Sequence, residues 1–313
     1  MNNDDYILTL KKAIKNFVPD GMYQNPLLEG ADPFILTYDN KYYLYATNAD
    51  DGYKVFVSDD LSKWVDMGYC LKKEDVMGEK WFWAPEILYK NNQFYMIYSS
   101  EEHLGVAISK SPLGPFIQTE KKWLIDHLAI DGHFFVDEDG KVYLYYVKLD
   151  GTNQIYVSKM NDDLLSIDQS TESFLIKAEE AWETIDCLVT EGPFVLKHNG
   201  KYFLTYSANH TRNENYAVGY AVSDSPFGPF KKYDKNPILH KTSEVNGTGH
   251  HSFTKSLDEK ELICVYHCHF SKTQFQPRLV CVDRAYFDID ENGEDILVIH
   301  GPTTSLQKSF GVR

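Results

Sequence analysis

Five ionisable side chains stand where apolar, strand-like segments begin; they are Asp32, Glu86, Asp131, Glu191 and His250. Two carboxylates that face each other across a pocket can cleave a glycosidic bond, because one protonates the departing oxygen while the other activates water or attacks the anomeric carbon. A third carboxylate nearby raises the pKa of the acid and keeps it protonated. Asp32, Asp131 and Glu191 are the candidates for these three roles.

Asp-Pro and Glu-Gly-Pro also occur as ordinary turns at the entrance of a strand, so one such pair would carry little information. Here the pattern returns at corresponding places of several segments, including EGADPFI from residue 29, IDGHFFV from 130 and TEGPFVL from 190. The repetition favours a functional reason for the carboxylates.

These segments belong to a unit that occurs five times along the chain. Each unit has an apolar strand, a polar turn, and a second strand of alternating aromatic and aliphatic residues, which is the pattern of a β-hairpin. The second strands begin 48 to 60 residues apart, at Lys41, Gln93, Lys141, Lys201 and Lys260. The near-identical octets SKSPLGPF from 109 and SDSPFGPF from 223 add Ser-Pro and Gly-Pro turns after a third strand.

Units of about 50 residues with three or four short strands are typical of propeller blades. No amphipathic helix separates the strands, which disfavours a parallel α/β sheet. We therefore predict an all-β, five-bladed β-propeller: one catalytic domain over 1–313, with blade repeats from about 25 to 300 and an N-terminal extension over 1–24. Because the first strand of each blade lines the central axis, the five ionisable groups are expected to meet at one mouth of the channel.

Charge and composition exclude several classes of partner. The 46 acidic residues outnumber the 31 Lys and Arg, so the net charge is −15, and such a surface repels nucleic acid and anionic lipid. The five cysteines form no short secreted framework, which favours free thiols in a reducing compartment. The first 21 residues lack the apolar core of a signal peptide. We expect a cytoplasmic protein without a membrane or nucleic-acid partner.

Five motifs carry a family resemblance: NPLLEGADPFI, FWAPEI, IDGHFFVDEDG, TEGPFVLKHNGKYFLTYSA and GTGHHSF. In this order and spacing they make the chain similar to glycoside hydrolase family 43, the five-bladed β-propeller hydrolases of xylan and arabinan. The resemblance implies an inverting mechanism. It places the general base on Asp32, the aspartate that modulates the pKa and orients the substrate on Asp131, and the general acid on Glu191.

The same resemblance suggests substrate-binding residues. Trp83 matches the aromatic platform beneath the sugar, and Arg278 matches an arginine that reaches the cleavage subsite, with Arg284 as a competing candidate that is better explained by a surface ion pair. Glu86 and His250, at the axial mouth, are further candidates for substrate contact. The tripeptide Glu101–His103 in SEEHLG is interpreted as a solvated turn, with a role on the leaving-group side as the alternative.

Two positions depart from the family pattern, since Gly132 and Thr248 stand where the family has proline. His250 matches the family's axial histidine, near which members often hold a calcium or sodium ion, mostly through water. The resemblance thus implies no required cofactor, a candidate structural ion near His250, and no directly bound transition metal. The cluster CVYHCHF from 264 does not have the ligand spacing of a zinc finger.

We therefore predict a hydrolase that releases a pentose, α-L-arabinofuranose or β-D-xylose, from arabino- or xylo-oligosaccharides. Two alternatives remain open at this stage: a carbohydrate-binding propeller without catalysis, and an endo-acting arabinanase of the same family. The sequence leaves open the choice of pentose and the oligomeric state.

Overall fold

The structure is a computed structural model that describes residues 18–311, so residues 1–17 of the predicted N-terminal extension lie outside the described residues. Within 18–311 the chain forms 22 strands and one 3-10 helix, Lys73–Asp75. No helix in this range is long and apolar enough to cross a membrane.

Five antiparallel sheets are arranged as blades, which confirms the predicted five-bladed β-propeller, and two short strands near the ends of the described chain form a sixth sheet. Two short strands come first: β1 (Met22–Tyr23) and β2 (Leu28–Glu29). The first blade contains β3 (Ala31–Tyr38), β4 (Lys41–Thr47), β5 (Gly52–Ser58) and β6 (Val65–Lys72). The second contains β7 (Trp83–Lys90), β8 (Gln93–Ser100) and β9 (His103–Ser109).

The third blade contains β10 (Ala129–Val136), β11 (Val142–Asp150), β12 (Thr152–Met160) and β13 (Ile167–Lys177). The fourth contains β14 (Thr190–His198), β15 (Lys201–Ala208), β16 (Ala217–Ser223) and β17 (Lys231–Lys232). The fifth contains β18 (Gly249–Lys255), β19 (Leu262–Cys268), β20 (Leu279–Ile289) and β21 (Asp295–Ile299), and β22 (Gln307–Lys308) follows it.

The ring closes with strands from both sides of the repeat region. β2 pairs with β20, and β1 pairs with β22, so the segment before the first blade completes the fifth. Asn25 extends this pairing: its side-chain amide donates to Val282 O (2.8 Å) and its carbonyl oxygen accepts from Val282 N–H (2.9 Å). We call the contact between the first and fifth blades the seam.

The two octets join neighbouring blades. Tyr45 of the first blade donates its hydroxyl to Pro112 O in the first octet (2.6 Å), and Tyr145 of the third blade donates to Pro226 O in the second (2.8 Å). Both tyrosines are fully buried, so each hydroxyl needs a partner, and the turn carbonyl supplies it. The octets are therefore inter-blade contacts that the second and fourth blades make with the blades before them.

The core lies between the blades and consists of residues from the alternating strands. Its largest fully buried side chains are mostly tyrosines, including Tyr53, Tyr98 and Tyr206. All five cysteines are free; four are buried and Cys187 is half-buried. This packing holds the inner strands β3, β7, β10, β14 and β18 around the axis.

Candidate active site

Every inner strand bends at the same place, near its beginning, through a shift in strand register. The residue at each bend has a left-handed backbone with φ between 46° and 56°; these residues are Asp32, Ala84, Asp131, Gly192 and His250. A bulge of this kind re-aims side chains, and here it turns them toward the axial mouth. By this register Glu191 lies one residue before the bend and Glu86 two residues after it.

A hydrogen bond from blade to blade fixes each bend. The N–H groups of Ala84, Asp131 and His250 donate to side-chain oxygens at the ends of the preceding blades' second strands, which are Thr47 (3.0 Å), Ser99 (3.0 Å) and Ser207 (2.8 Å). Across the seam, the N–H of Asp32 donates to His267 Nδ1 (3.2 Å). The backbone of the site is thereby held by neighbouring blades.

The step from the third to the fourth blade differs. The corresponding residue of the third blade is Val147, opposite Ile130, and its side chain cannot accept a hydrogen bond. The N–H of Gly192 donates instead to Asp131 Oδ2 (3.1 Å). Asp131 is therefore tied directly to the residue that follows Glu191.

Asp32 is surrounded by groups that favour its ionised form. Arg278 Nη1 donates to Oδ1 (2.6 Å) and Thr47 Oγ1 donates to Oδ2 (2.7 Å), while His250 Nδ1 lies 3.4 Å from Oδ1. Burial raises the pKa of Asp32, but Arg278 and then His250 outweigh it, so the pKa lies well below its usual value. Asp32 is thus a carboxylate at neutral pH.

Glu191 has the opposite character. Its Oε1 accepts from the Tyr216 hydroxyl (2.8 Å) and its Oε2 from the Asn153 amide (3.2 Å). Burial, with a further contribution from the charge of Asp32, raises the pKa of Glu191 to about 7, although the Tyr216 hydrogen bond acts against this. Glu191 therefore holds a proton through much of the range in which Asp32 has none.

Asp131 interacts with both of these carboxyl groups. Burial and then the neighbouring charges of Glu191 and Asp32 raise the pKa of Asp131 well above its usual value. His250 Nδ1 lies 3.9 Å from its Oδ2. Gly132, which replaces the expected proline, packs closely against Ile97, since a Cβ atom there would lie 2.3 Å from Ile97 Cδ1 and would displace that side chain.

The three carboxyl groups open onto one pocket of about 690 Å³, a size suited to a small ligand. Trp83, His250 and Arg278 also line it, so the structure brings these six predicted residues together. The Nε of Arg278 is buried and has no hydrogen-bond partner among the described residues. Arg284 pairs instead with Glu261 (2.7 Å), outside the pocket.

Glu86 is the predicted residue that the structure places elsewhere. Its carboxylate lies within 3.0 Å of His133 Nδ1 and accepts from the N–H of Phe134 (2.8 Å). It borders a small axial cavity beneath the pocket rather than the pocket itself. Its contacts join the second and third blades.

The predicted ion near His250 requires hard oxygen ligands. The axial cavity beneath the pocket measures about 30 Å³, enough for a water-sized sphere. In residues 18–311 no group of three or more His, Cys, Asp or Glu side chains is arranged to hold a metal. Direct coordination by these side chains does not fit, so an ion held through water stays a prediction, and no chemical step is derived from it.

Several residues of the site were not singled out from the sequence: Thr47, Asn153, Ser207 and Tyr216. Tyr216 is positioned by Gly249, where a Cβ atom would lie 2.3 Å from the tyrosine ring. Thr47 and Ser207 could have been recognised from the sequence, because both occupy the same position near the end of the second strand of a unit. Tyr216 and Asn153 carry no such signal, since Tyr216 lies just before β16 and Asn153 near the beginning of β12, at positions where the other blades have different residues.

The fold and the site together define a class of protein. A five-bladed propeller whose axial pocket holds one ionised and one protonated carboxyl group has the architecture and the acid–base pair of a glycoside hydrolase. Residues 23–292 match the family described as Glycosyl hydrolases family 43. The chain belongs to that family, and it is a glycosidase whose substrate is a carbohydrate.

Named relatives agree with this assignment. A β-D-galactofuranosidase of Aspergillus niger is 27% identical over 86% of this chain and 83% of its own. Xylosidase/arabinosidase 43A of Humicola insolens is 28% identical over 83% of this chain and 94% of its own. The crystal structure of an endo-1,4-β-xylanase from Bacteroides thetaiotaomicron superposes with a TM-score of 0.84 at 41% identity, covering 90% of this chain and 97% of that one.

Proposed function

We propose that this glycosidase releases a pentose, α-L-arabinofuranose or β-D-xylose, from the end of arabino- or xylo-oligosaccharides with inversion at the anomeric carbon. The observation that carries the proposal is the opposite pKa shifts of Asp32 and Glu191, which line the same pocket. These shifts leave Asp32 ionised and Glu191 protonated. Relatives named as xylosidase/arabinosidase support the choice of sugar, and the family resemblance supports inversion.

In this mechanism Glu191 donates its proton to the departing glycosidic oxygen while Asp32 removes a proton from water on the opposite face of the sugar. The water oxygen bonds to the anomeric carbon as the bond to the leaving oxygen breaks. Asp131, which accepts the N–H of the residue after Glu191, orients the ring, and Trp83 provides the surface beneath it. Arg278 holds Asp32 ionised and offers further N–H donors to sugar hydroxyls.

The test is hydrolysis of 4-nitrophenyl α-L-arabinofuranoside and β-D-xyloside, together with arabino- and xylo-oligosaccharides. Proton NMR of the fresh product gives the sugar and its anomeric configuration in one measurement. We expect a free pentose of inverted configuration. Retained configuration would contradict the acid–base assignment, and no pentose from any of these substrates would contradict the proposed specificity.

Asp32→Asn and Glu191→Gln are each expected to lower kcat by at least about a thousandfold, because each removes a proton-transfer group. Their circular dichroism spectra should match the wild type. Near-wild-type turnover in either variant would exclude the role given to that residue.

Endo-action is a second candidate, favoured by the name of the 41% identical structure, an endo-1,4-β-xylanase. Products of a labelled xylohexaose separate the two modes. Exo-action releases monosaccharide from the first time point, whereas endo-action releases fragments of intermediate length first.

A further inference from the structure

The tight turn between β8 and β9 holds two consecutive glutamates in an unfavourable backbone conformation. Glu101 and Glu102 have φ of 52° and 59°, the left-handed values of a two-residue hairpin turn that normally selects Asn, Asp or Gly. The turns Asp39–Asn40, between β3 and β4, and Asn91–Asn92, between β7 and β8, follow that preference. Two glutamates at this position therefore run against local preference.

The backbone of this turn is fixed on both sides. The N–H of Glu101 donates to Lys80 O (3.2 Å), in the segment that leads to Trp83, and the N–H of Ala129 donates to Glu102 O (2.9 Å). His103 Nδ1 lies 2.8 Å from Glu101 O. The turn is thus held between the second and third blades.

The two glutamates differ in where they lie. Glu102 lines the active-site pocket and Glu101 does not. The carboxylate of Glu102 accepts no hydrogen bond and forms no ion pair with any residue between 18 and 311. A half-buried carboxylate held at a pocket wall without a partner is a ready acceptor for ligand hydroxyl groups.

The surroundings of Glu102 match a sugar ring. Trp83 and Leu128 line the same pocket, and Leu128 is 40% exposed. An aromatic ring and an aliphatic side chain suit the C–H faces of a sugar, while the carboxylate suits its hydroxyls. Asp32 and Asp131 are each only 6% exposed, so the bond that is cleaved lies deeper than Glu102.

We propose that Glu102 forms the binding subsite for the leaving sugar unit, accepting hydrogen bonds from its hydroxyl groups. This proposal rests on the proposed function, because in an exo-acting pocket the unit released as pentose fills the bottom and the next unit lies at the mouth. Glu102 is then a specificity-determining residue that selects an oligosaccharide over a leaving group without hydroxyls. The unfavourable turn keeps this carboxylate at the pocket wall.

The test compares Glu102→Gly with Glu101→Gly. Glycine relieves the left-handed φ in both variants, so both should fold and both should melt at a higher temperature than the wild type. The readout is the ratio of kcat/KM for xylobiose or arabinobiose to kcat/KM for the matching 4-nitrophenyl glycoside. We expect this ratio to fall about 10-fold to 100-fold in Glu102→Gly, because a hydrogen bond to a charged group is lost, and to stay within about twofold of wild type in Glu101→Gly.

Glu102→Gln removes the charge but keeps the size of the side chain and one acceptor oxygen. It should therefore lower the ratio less than Glu102→Gly does. An unchanged ratio in Glu102→Gly, or an equal fall in both glycine variants, would overturn the proposal. An equal loss on the disaccharide and the aryl glycoside would also overturn it, since it would place Glu102 against the sugar that is released. A wild-type protein that cleaves none of these substrates would instead refute the proposed function.

Discussion

Asp32 and Glu191 carry the same functional group, yet their surroundings move their pKa values in opposite directions. Asp32 receives a guanidinium and a hydroxyl donor, whereas Glu191 is buried beside other carboxyl groups and receives only neutral donors. The proposed assignment of acid and base therefore depends in part on neighbours from other blades, Arg278 for Asp32 and Asn153 for Glu191. Arg278, the strongest of these for Asp32, lies 246 residues away in the sequence.

The pH dependence of kcat should follow from this. Because Glu191 must be protonated in the proposed mechanism and its pKa is raised to about 7, activity should fall as the pH rises through that value. Tyr216→Phe removes a hydrogen bond that favours the ionised form of Glu191. The pKa of Glu191 then rises further, so the alkaline limb should move to higher pH.

A kcat profile of both proteins checks this expectation. Tyr202→Phe serves as the control, because the Tyr202 hydroxyl donates to Asp137, outside the pocket. A shift of the Tyr216→Phe limb toward lower pH, or the same shift in the control, would show that Tyr216 does not act through Glu191.

All five inner strands have the same bend near their beginning. Each must present a side chain to the axis at its beginning and then continue as a regular strand. One residue with a left-handed backbone makes the bend, and the strand then pairs again with the second strand of its blade. The sequence predicts where these strands begin, because the hairpin pattern repeats. It did not predict which residues occupy equivalent positions in the five strands, since Glu191 lies just before the bend of its strand and Glu86 lies after the bend of its own.

The side-chain acceptors at the ends of the second strands should be needed for stability. Ser99 is fully buried, and its hydroxyl accepts the N–H of Asp131. Ser99→Ala would leave that N–H buried without a partner, and we expect a loss of about 1–3 kcal/mol in the free energy of unfolding. Ser99→Thr retains an acceptor of the kind that Thr47 provides in the first blade, and it should recover most of the loss.

Urea denaturation of the three proteins tests this expectation. Equal stability of Ser99→Ala and wild type would mean that the bend of the third blade does not depend on the hydroxyl. A loss in Ser99→Thr as large as that in Ser99→Ala would point to packing rather than to hydrogen bonding.

The whole ring depends on closure at the seam, which the sequence indicated only in part. Five repeats imply a closed circle, but the pairs β2–β20 and β1–β22 could not be foreseen, because β1, β2 and β22 are two-residue strands without a pattern of their own. Asn25 is likewise an ordinary loop residue in the sequence. Only its contacts with Val282 reveal that it takes the place of a strand residue.

Asn25→Ala removes two buried hydrogen bonds and leaves both backbone groups of Val282 without those partners. We expect the free energy of unfolding to fall by about 2–4 kcal/mol. Glu29→Ala, an exposed position on β2, is the control and should change stability by less than about 0.5 kcal/mol. Urea titration followed by tryptophan fluorescence measures both, and similar effects in the two variants would argue against a closing role for Asn25.

The proposed catalytic base stands on one side of the seam, while Arg278, which favours its ionised form, and His267, which accepts its backbone N–H, stand on the other. Asp32 belongs to the first blade, and His267 and Arg278 lie in or beside the strands of the fifth. Parting these two blades by a small amount would take the contacts with Arg278 and His267 away from Asp32, so hydrolysis should stop while the remaining four junctions stay intact. In mild denaturant, turnover should disappear before the spectroscopic signals of the fold change.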